Sequence, residues 1–292
     1  MGSTFADDRG GVLNLRSLVT AAVIFLAFAA GVIPAHAQDR RSLWRGCIGT
    51  AQTPAFDAQI AACTTLITAG TDGPRYIADA YFHRGLAFLG KSQLGSALAD
   101  FGQAVTLRPD LAKAYYYRGV VYGLKDNYVA DIADQDRAAT LEPKVSASLV
   151  ERAKAHHAVG QDNAAIADLD QVIALEPGDA AAWNDRCWEH AIVGKLDLAL
   201  DDCNGSLRRQ VKNPAAFDSL GFLSLKSGKL ATAIADYSRA ITLAPSMASP
   251  WYGRGIAKHR SGDEAGAKAD FATATQLMPS IASVYAKLGI TP

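Results

Sequence analysis

A 34-residue period runs through most of this chain and constrains its fold more than any other feature. From Ala78 onward the sequence divides without a gap into six units, 78–111, 112–145, 146–179, 180–213, 214–247 and 248–281. A period of this length is typical of stacked helix hairpins, and it overrides the one or two globular domains that 292 residues would otherwise suggest. No long stretch alternates polar and apolar residues, so we expect an all-α protein.

Equivalent positions of the six units carry the same kind of residue. The eighth and twentieth positions are almost always small, which lets two helices approach closely where they cross. The fourth and twenty-fourth positions are mostly large or aromatic, and a proline near the end of five units stops the second helix. The eighth position holds Gly85, Gly119, Ala153, Cys187, Gly221 and Gly255.

Residues 78–281 therefore resemble an array of tetratricopeptide repeats, whose signature places aromatic, glycine, alanine and proline residues at these offsets. The resemblance implies a right-handed superhelical solenoid of antiparallel helix hairpins. Residues 282–292 repeat the start of a first helix and predict a C-terminal capping helix. Residues 38–77 fit a degenerate hairpin that caps the other end.

A signal peptide is predicted over residues 1–37. The run from Ser17 to Pro34 is apolar and uncharged, and Ala35-His36-Ala37 follows it as a small-x-small cleavage pattern. Cleavage after Ala37 would give a periplasmic or secreted protein with no stable membrane insertion. An uncleaved membrane anchor is the alternative, since the run is nearly long enough to span a bilayer.

Charge and motifs narrow the functional classes. Lysine plus arginine and aspartate plus glutamate number 29 each, so the chain lacks the positive excess that phosphate contacts need and no nucleic-acid partner is expected. No glycine-rich phosphate loop, serine elbow or HExxH motif occurs, so we predict no catalytic residue and no cofactor. His156, His157 and His190 could approach one another and bind a metal ion. However, the eleventh position of a repeat, where His156 and His190 stand, normally holds a core aromatic residue, so we predict no metal site.

Two charged columns run through the array, with aspartate at the twenty-third position of all six units and arginine at the seventh position of five. Pairing within a unit leaves only Asp236 without an arginine, whereas pairing with the following unit would leave three charged residues alone. Two separately solvated stripes are the alternative, worth about 0–1 kcal/mol per pair. The predicted pairs are Arg84–Asp100, Arg118–Asp134, Arg152–Asp168, Arg186–Asp202 and Arg254–Asp270.

The four cysteines occupy equivalent positions of two hairpins. Cys47 and Cys63 align with the eighth and twenty-fourth positions of the degenerate hairpin, where Cys187 and Cys203 stand in the fourth unit. Because each unit of a solenoid contacts only its neighbours, the two hairpins cannot be cross-linked. We predict the disulfides Cys47–Cys63 and Cys187–Cys203, which an oxidising compartment would favour. Four buried thiols are the alternative.

The family resemblance implies a concave face, built mainly from the first helix of each hairpin, that holds peptides or partner elements. We predict a non-catalytic protein–protein interaction scaffold in the bacterial cell envelope, with a small-ligand or metal-binding protein as the alternative. Packing between repeats is the alternative role of the aromatic stripe on this face. Some members of the family bind a C-terminal carboxylate through lysines, arginines and asparagines of this stripe. Here the lysines and asparagine of the stripe are in the wrong combination, so we predict no such carboxylate clamp. The predicted groove residues are Phe82, Leu86, Tyr116, Val120, Trp188, Phe222 and Tyr252.

Overall fold

The computed structural model describes residues 35–49 and 55–292, and the regular structure in these ranges is α-helical. Most of the predicted signal peptide lies outside the described residues. Contacts divide the chain into two units, one extending to Gln93 and one from Leu94 to Pro292. The helices are α1 (Ala35–Ile48), α2 (Phe56–Ala69), α3 (Pro74–Gly90), α4 (Leu94–Leu107), α5 (Ala112–Gly123), α6 (Tyr128–Leu141), α7 (Ala147–Ala158), α8 (Asp162–Leu175), α9 (Ala180–Ile192), α10 (Leu196–Arg209), α11 (Pro214–Lys226), α12 (Leu230–Leu243), α13 (Ala248–Arg260), α14 (Glu264–Leu277) and α15 (Ile281–Lys287).

The N-terminal unit contains α1, α2 and α3. The first two helices form a hairpin, and α3 packs against both of them. The core is formed by Cys47, Cys63, Leu66 and Ala80. The sequence places the boundary between cap and repeats before residue 78, whereas the division falls after Gln93, because the first helix of the first repeat packs on the cap hairpin.

The C-terminal unit is a solenoid of helix hairpins. Its hairpins are α5/α6, α7/α8, α9/α10, α11/α12 and α13/α14, and the second helix of each packs against the first helix of the next. First helices also contact one another, α9 with α11 and α11 with α13, so that one face is built from first helices. The short α15 packs on α13 and α14 and ends the array, as expected for a capping helix.

The turn inside each repeat hairpin requires a left-handed backbone at its fifteenth residue. Glycine occupies this position in the last four repeats, and Ser92 and Asp126 adopt φ values of 56° and 57° there in the first two. A left-handed conformation costs about 1–2 kcal/mol for a residue that carries a Cβ atom, so glycine is the residue expected there. The fifteenth position is therefore a further column of the repeat, which the sequence analysis did not single out.

The two helices of a repeat approach most closely at the eighth position. A Cβ atom added to Gly221 would lie 2.6 Å from the ring of Tyr237, and one added to Gly255 would lie 2.8 Å from the ring of Phe271. The ring at the twenty-fourth position thus packs directly on the glycine backbone. A larger residue at the eighth position would push the two helices apart.

The second repeat fills the same crossing with polar side chains. Gln135 is fully buried opposite Gly119, and it donates hydrogen bonds to the carboxylate of Asp131 and to the carbonyl oxygen of Tyr116. Asp131 is itself buried, and this burial raises its pKa to about 6. The amide nitrogen of Gln135 is thus satisfied by two acceptors, whereas its Oε1 atom has no partner among the described residues.

The two disulfides occupy the contact that glycine and an aromatic ring make elsewhere. The Sγ atoms of Cys47 and Cys63 are 2.08 Å apart, and those of Cys187 and Cys203 are 1.96 Å apart. The corresponding Cα–Cα distances are 4.6 and 5.2 Å. The pairing is local to each hairpin, as the repeat register predicts, and all four cysteines are fully buried.

Candidate functional site

Arginine at the seventh position binds the aspartate of its own repeat in four units. In each of these pairs Nε and Nη2 donate to the two carboxylate oxygens at 2.6–3.0 Å. The aspartate side chains are 4–8% exposed, so these columns are not separately solvated stripes. The pair Arg84–Asp100 joins residues of the two separately described units and stays a prediction. The four pairs are Arg118–Asp134, Arg152–Asp168, Arg186–Asp202 and Arg254–Asp270.

Three of these arginines also bind the preceding repeat. Each acceptor stands at the twenty-fifth position of the previous unit, on the second helix of that unit. The arginine of each ion pair therefore also links its own hairpin to the preceding repeat, which gives these columns a structural role. The contacts are Arg152 with Asp136 at 2.7 Å, Arg186 with Asp170 at 2.6 Å and Arg254 with Ser238 at 3.0 Å.

A cavity of about 600 Å³ lies within the C-terminal unit. Residues of α7, α9 and α11 line one part of it, and the start of α13 and the terminal helix α15 line another. Its walls are largely apolar and include Val150, Trp188, Met247, Met278 and Val284. A concave apolar site of this volume, with a few polar groups, is typical of a binding site.

One of the seven predicted groove residues, Trp188, lines this cavity. Phe222 is fully buried and Tyr252 is 7% exposed, and both lie in the core beside the cavity. Their rings contact Tyr285 of α15, with centroids 6.4 and 5.0 Å away respectively, because the terminal helix covers this part of the stripe. The other four, which belong to the first two repeats, are not among its lining residues: Phe82, Leu86, Tyr116 and Val120.

A buried carboxyl group faces the cavity from α11. Asp218 is 8% exposed, and its Oδ1 atom has no hydrogen-bond partner among the described residues. Burial raises the pKa of Asp218 to about 7, although a hydrogen bond with Ser249 opposes the shift. The hydroxyl of Tyr285 donates to the carbonyl oxygen of Ser249 at 3.0 Å. The cavity therefore contains an acceptor that the protein itself leaves unused.

A second polar group of the cavity centres on His157. Its Nδ1 atom lies 3.1 Å from Glu189 and 3.6 Å from Asp162. The ligand atoms of these three residues lie within 4.8 Å of one another, an arrangement that could hold a divalent metal ion. The contact with Glu189 raises the pKa of His157, which favours a charged imidazolium paired with that carboxylate and needs no metal ion.

The other two histidines of the cluster considered from the sequence have their own partners. Nδ1 of His156 lies 2.7 Å from Oε1 of Gln161, and Nδ1 of His190 lies 2.9 Å from Oδ2 of Asp202. Each of the three imidazoles thus contacts a different acceptor. The described residues give no metal site formed by the three histidines together.

Acidic and basic groups both line the cavity, and His157, whose pKa is raised, is one of the basic groups. Asp185, Glu189 and Asp218 line it, and Lys154 is the one lysine or arginine among its lining residues. Lys154 is already paired with Glu151 at 2.8 Å. Burial also raises the pKa of Asp185.

These features define a class: a helical-repeat solenoid in which first helices form one face. Comparison with known families is more specific. Residues 78–111 match the family model described as tetratricopeptide repeat, and residues 224–262 match the one described as TPR repeat. These two segments match as tetratricopeptide repeats, and the fold of the described residues is the tetratricopeptide-repeat solenoid, a fold that supports a protein–protein interaction scaffold. Proteins of this kind are generally non-catalytic.

Solved structures show the same fold at low sequence identity. A tetratricopeptide repeat protein from Parabacteroides merdae is 16% identical, with a TM-score of 0.70 over 86% of this chain and 97% of that one. PilW, a type IV pilus biogenesis factor, is 16% identical, with a TM-score of 0.61 over 71% and 98%. YrrB, described as having an unusual peptide-binding site, is 21% identical, with a TM-score of 0.56 over 70% and 99%.

Curated protein sequences give no match to this chain. None of the helices in the described ranges has the length and apolar character needed to cross a membrane.

Proposed function

We propose that this protein is an exported adaptor of the bacterial cell envelope that binds a segment of a partner protein in the cavity on its first-helix face. The observation that carries the proposal is the apolar cavity of about 600 Å³ whose lining includes a buried acceptor with no partner. Buried polar groups are normally hydrogen-bonded, so an unused one in a cavity favours a ligand that completes it. The peptide-binding site named for YrrB, a protein of similar fold, supports a peptide as that ligand.

Exposed apolar side chains beside the cavity favour a protein segment over water as the occupant. Met278 and Val284 each line the cavity and are each 42% exposed. Covering such side chains would contribute about 25 cal/mol for each Å² of apolar surface removed from water. An extended or helical segment that lies over α15 and the end of α14 would cover both of them.

The export part of the proposal is supported by the leader and by the cysteines. The apolar run to Pro34 and the site at Ala37 are typical of a cleaved signal peptide. Two buried disulfides fit an oxidising compartment. Mass spectrometry of the protein from its own host should give Gln38 as the first residue. A membrane-bound chain that keeps its leader would contradict the periplasmic or secreted location.

Site-specific photocrosslinking in the host tests the binding face. A photoreactive amino acid at Val284, beside the cavity, should crosslink to one defined partner segment that mass spectrometry can sequence. The matched control is Val129 on α6, which is also an exposed valine, at 76%, but is not among the cavity-lining residues. The same crosslinks from both positions, or none from Val284, would contradict the proposal.

A further inference from the structure

The most unusual group of the cavity is the unpaired carboxyl of Asp218. The side chain lies on α11 at 8% exposure, and its Oδ1 atom accepts no hydrogen bond in the described part of the chain. A buried acceptor without a partner destabilises the folded protein. Such a group persists in a binding cavity when a ligand supplies the missing donor.

In the described part of the chain, no lysine or arginine is among the groups that shift the pKa of Asp218. Lys154, the lysine among the residues that line the cavity, lies 2.8 Å from Glu151. The hydrogen bond that Asp218 makes is with a neutral group, Ser249. Among the described residues, the unused Oδ1 atom is therefore open to a donor from a ligand.

The rest of the cavity fits a long side chain with a positive end. Asp185 and Glu189 add two carboxyl groups to the lining, and Oε2 of Glu189 is a second buried acceptor without a partner among the described residues. The ring of Trp188 and the side chain of Met247 provide apolar wall. Lysine and arginine bury an apolar stem along such walls while the charged head meets a carboxylate or an aromatic face.

We propose that the cavity anchors a basic side chain of the bound partner segment, with its charged head on Asp218 and its stem against Trp188. This inference rests on the proposed function, because it names the residue type through which the partner segment is held. Anionic and purely apolar side chains are disfavoured, since both would leave the buried carboxyl unpaired.

The anchor makes binding dependent on pH. Free Asp218 holds its proton up to about pH 7 because of burial, and a cation prefers the ionised form. Binding therefore releases a proton, and affinity should rise as the pH increases from 6 to 8. The titratable groups on the packed elements include Asp185 and Glu189 on α9, Lys154 and His157 on α7, Tyr237 on α12, Tyr252 on α13 and Tyr285 on α15. His157 contributes to the pH dependence of binding in the same direction, because it loses positive charge as the pH rises. The Asp218→Asn variant should therefore retain only this smaller part of the pH dependence.

Selection from a random peptide library displayed on phage, against the disulfide-bonded mature chain at pH 8, tests the anchor. Enriched peptides should share lysine or arginine at one position. Replacing that residue by norleucine should weaken binding about 10–100-fold, the loss expected for a hydrogen bond to a charged group. Asp218→Asn should abolish the preference for the basic residue and keep the rest of the motif. The control Asp236→Asn, which removes a carboxyl of the same repeat outside the cavity, should select the wild-type motif.

The outcomes separate the two proposals. Peptides that bind the cavity without a common basic residue, or with one that Asp218→Asn does not affect, would overturn the anchor and leave the adaptor function standing. If no peptide is enriched, the adaptor function itself fails. In that case n-pentylammonium still tests the anchor: it should shift the amide resonances of α11 in the wild type and not in Asp218→Asn, and identical spectra would overturn the anchor.

Discussion

Arg254 donates two hydrogen bonds of 2.8 Å to Asp270, from Nε to one carboxylate oxygen and from Nη2 to the other. The guanidinium also lies 4.9 Å from the ring centre of Trp251, and Lys258 adds a contact of 2.9 Å to the carboxylate. Burial opposes ionisation of Asp270, but these hydrogen bonds outweigh it and lower its pKa. The pair joins the two helices of one hairpin in a largely buried, bidentate geometry.

A double-mutant cycle on Arg254→Met and Asp270→Asn should give a coupling energy of about 1–3 kcal/mol, because the hydrogen bonds are charged and mostly buried. The lowered pKa of Asp270 means that its share of the stability is present above pH 4 and is lost as the pH falls below that value. Urea unfolding of the four proteins measures the coupling. The control cycle is Arg239 with Asp236, whose 3.5 Å contact involves an arginine that is 65% exposed and should couple by less than about 1 kcal/mol. Simple additivity at Arg254 and Asp270 would contradict the prediction.

The Cys187–Cys203 disulfide should stabilise its hairpin by up to about 3 kcal/mol in the chain-entropy model, since it closes a loop with a sequence separation of 16. Replacing both cysteines by alanine should lower the free energy of unfolding by about that amount. Dithiothreitol should then lower the stability of the variant only through Cys47–Cys63. Non-reducing peptide mapping checks the connectivity, and a peptide that links Cys47 to Cys187 would refute the register itself.

The repeat period predicts what recurs inside every hairpin. The Arg254–Asp270 pair and the disulfide Cys187–Cys203 each join residues that are 16 apart, and this spacing is fixed wherever two helices of a 34-residue unit pack. Contacts between units are harder to predict from the sequence. The twenty-fifth position is occupied by Asp170 in one unit and Ser238 in another, and its role emerges only when the arginine of the next unit is placed beside it.

The cavity could not be predicted from the period because its chemistry belongs to single repeats. The fifth position is aromatic or apolar in four units but is Asn184 in the fourth and Asp218 in the fifth. Those two departures were a signal that the column analysis did not use. Whether such a residue faces a cavity or the core depends on α15, since the terminal helix covers Phe222 while leaving Asp218 at the cavity wall.

Two glycines provide a matched test of the left-handed turn. Gly228 has φ 70° in the turn of the fifth repeat, whereas Gly102 lies within α4, and a Cβ atom added to either would meet nothing within 4 Å. Gly228→Ala should destabilise the protein by about 1–2 kcal/mol because of the backbone conformation alone. Gly102→Ala should stabilise it by about 0.5–1 kcal/mol, because alanine favours the helix. Thermal unfolding measures both, and equal effects would show that φ does not decide the choice of residue.

Asp218→Asn should change how the stability of the free protein depends on pH. The pKa of Asp218 is about 7 in the folded chain, above the value of 3.8 expected when unfolded. Between these two values the folded state keeps a proton that the unfolded state has lost, so wild-type stability falls as the pH rises through this window. The loss amounts to up to about 4 kcal/mol, since one pKa unit corresponds to about 1.4 kcal/mol.

The asparagine variant cannot ionise, so its stability relative to the wild type should rise steadily from pH 4 and level off above pH 7. Asp131 contributes a slope of the same sign up to about pH 6, and comparing the two proteins at each pH cancels it. Urea unfolding at half-unit intervals from pH 4 to 8 measures the difference. Parallel stability curves for the two proteins would mean that Asp218 ionises normally in the folded state. The carboxyl at the cavity wall would then be hydrated and would not lack a hydrogen-bond partner.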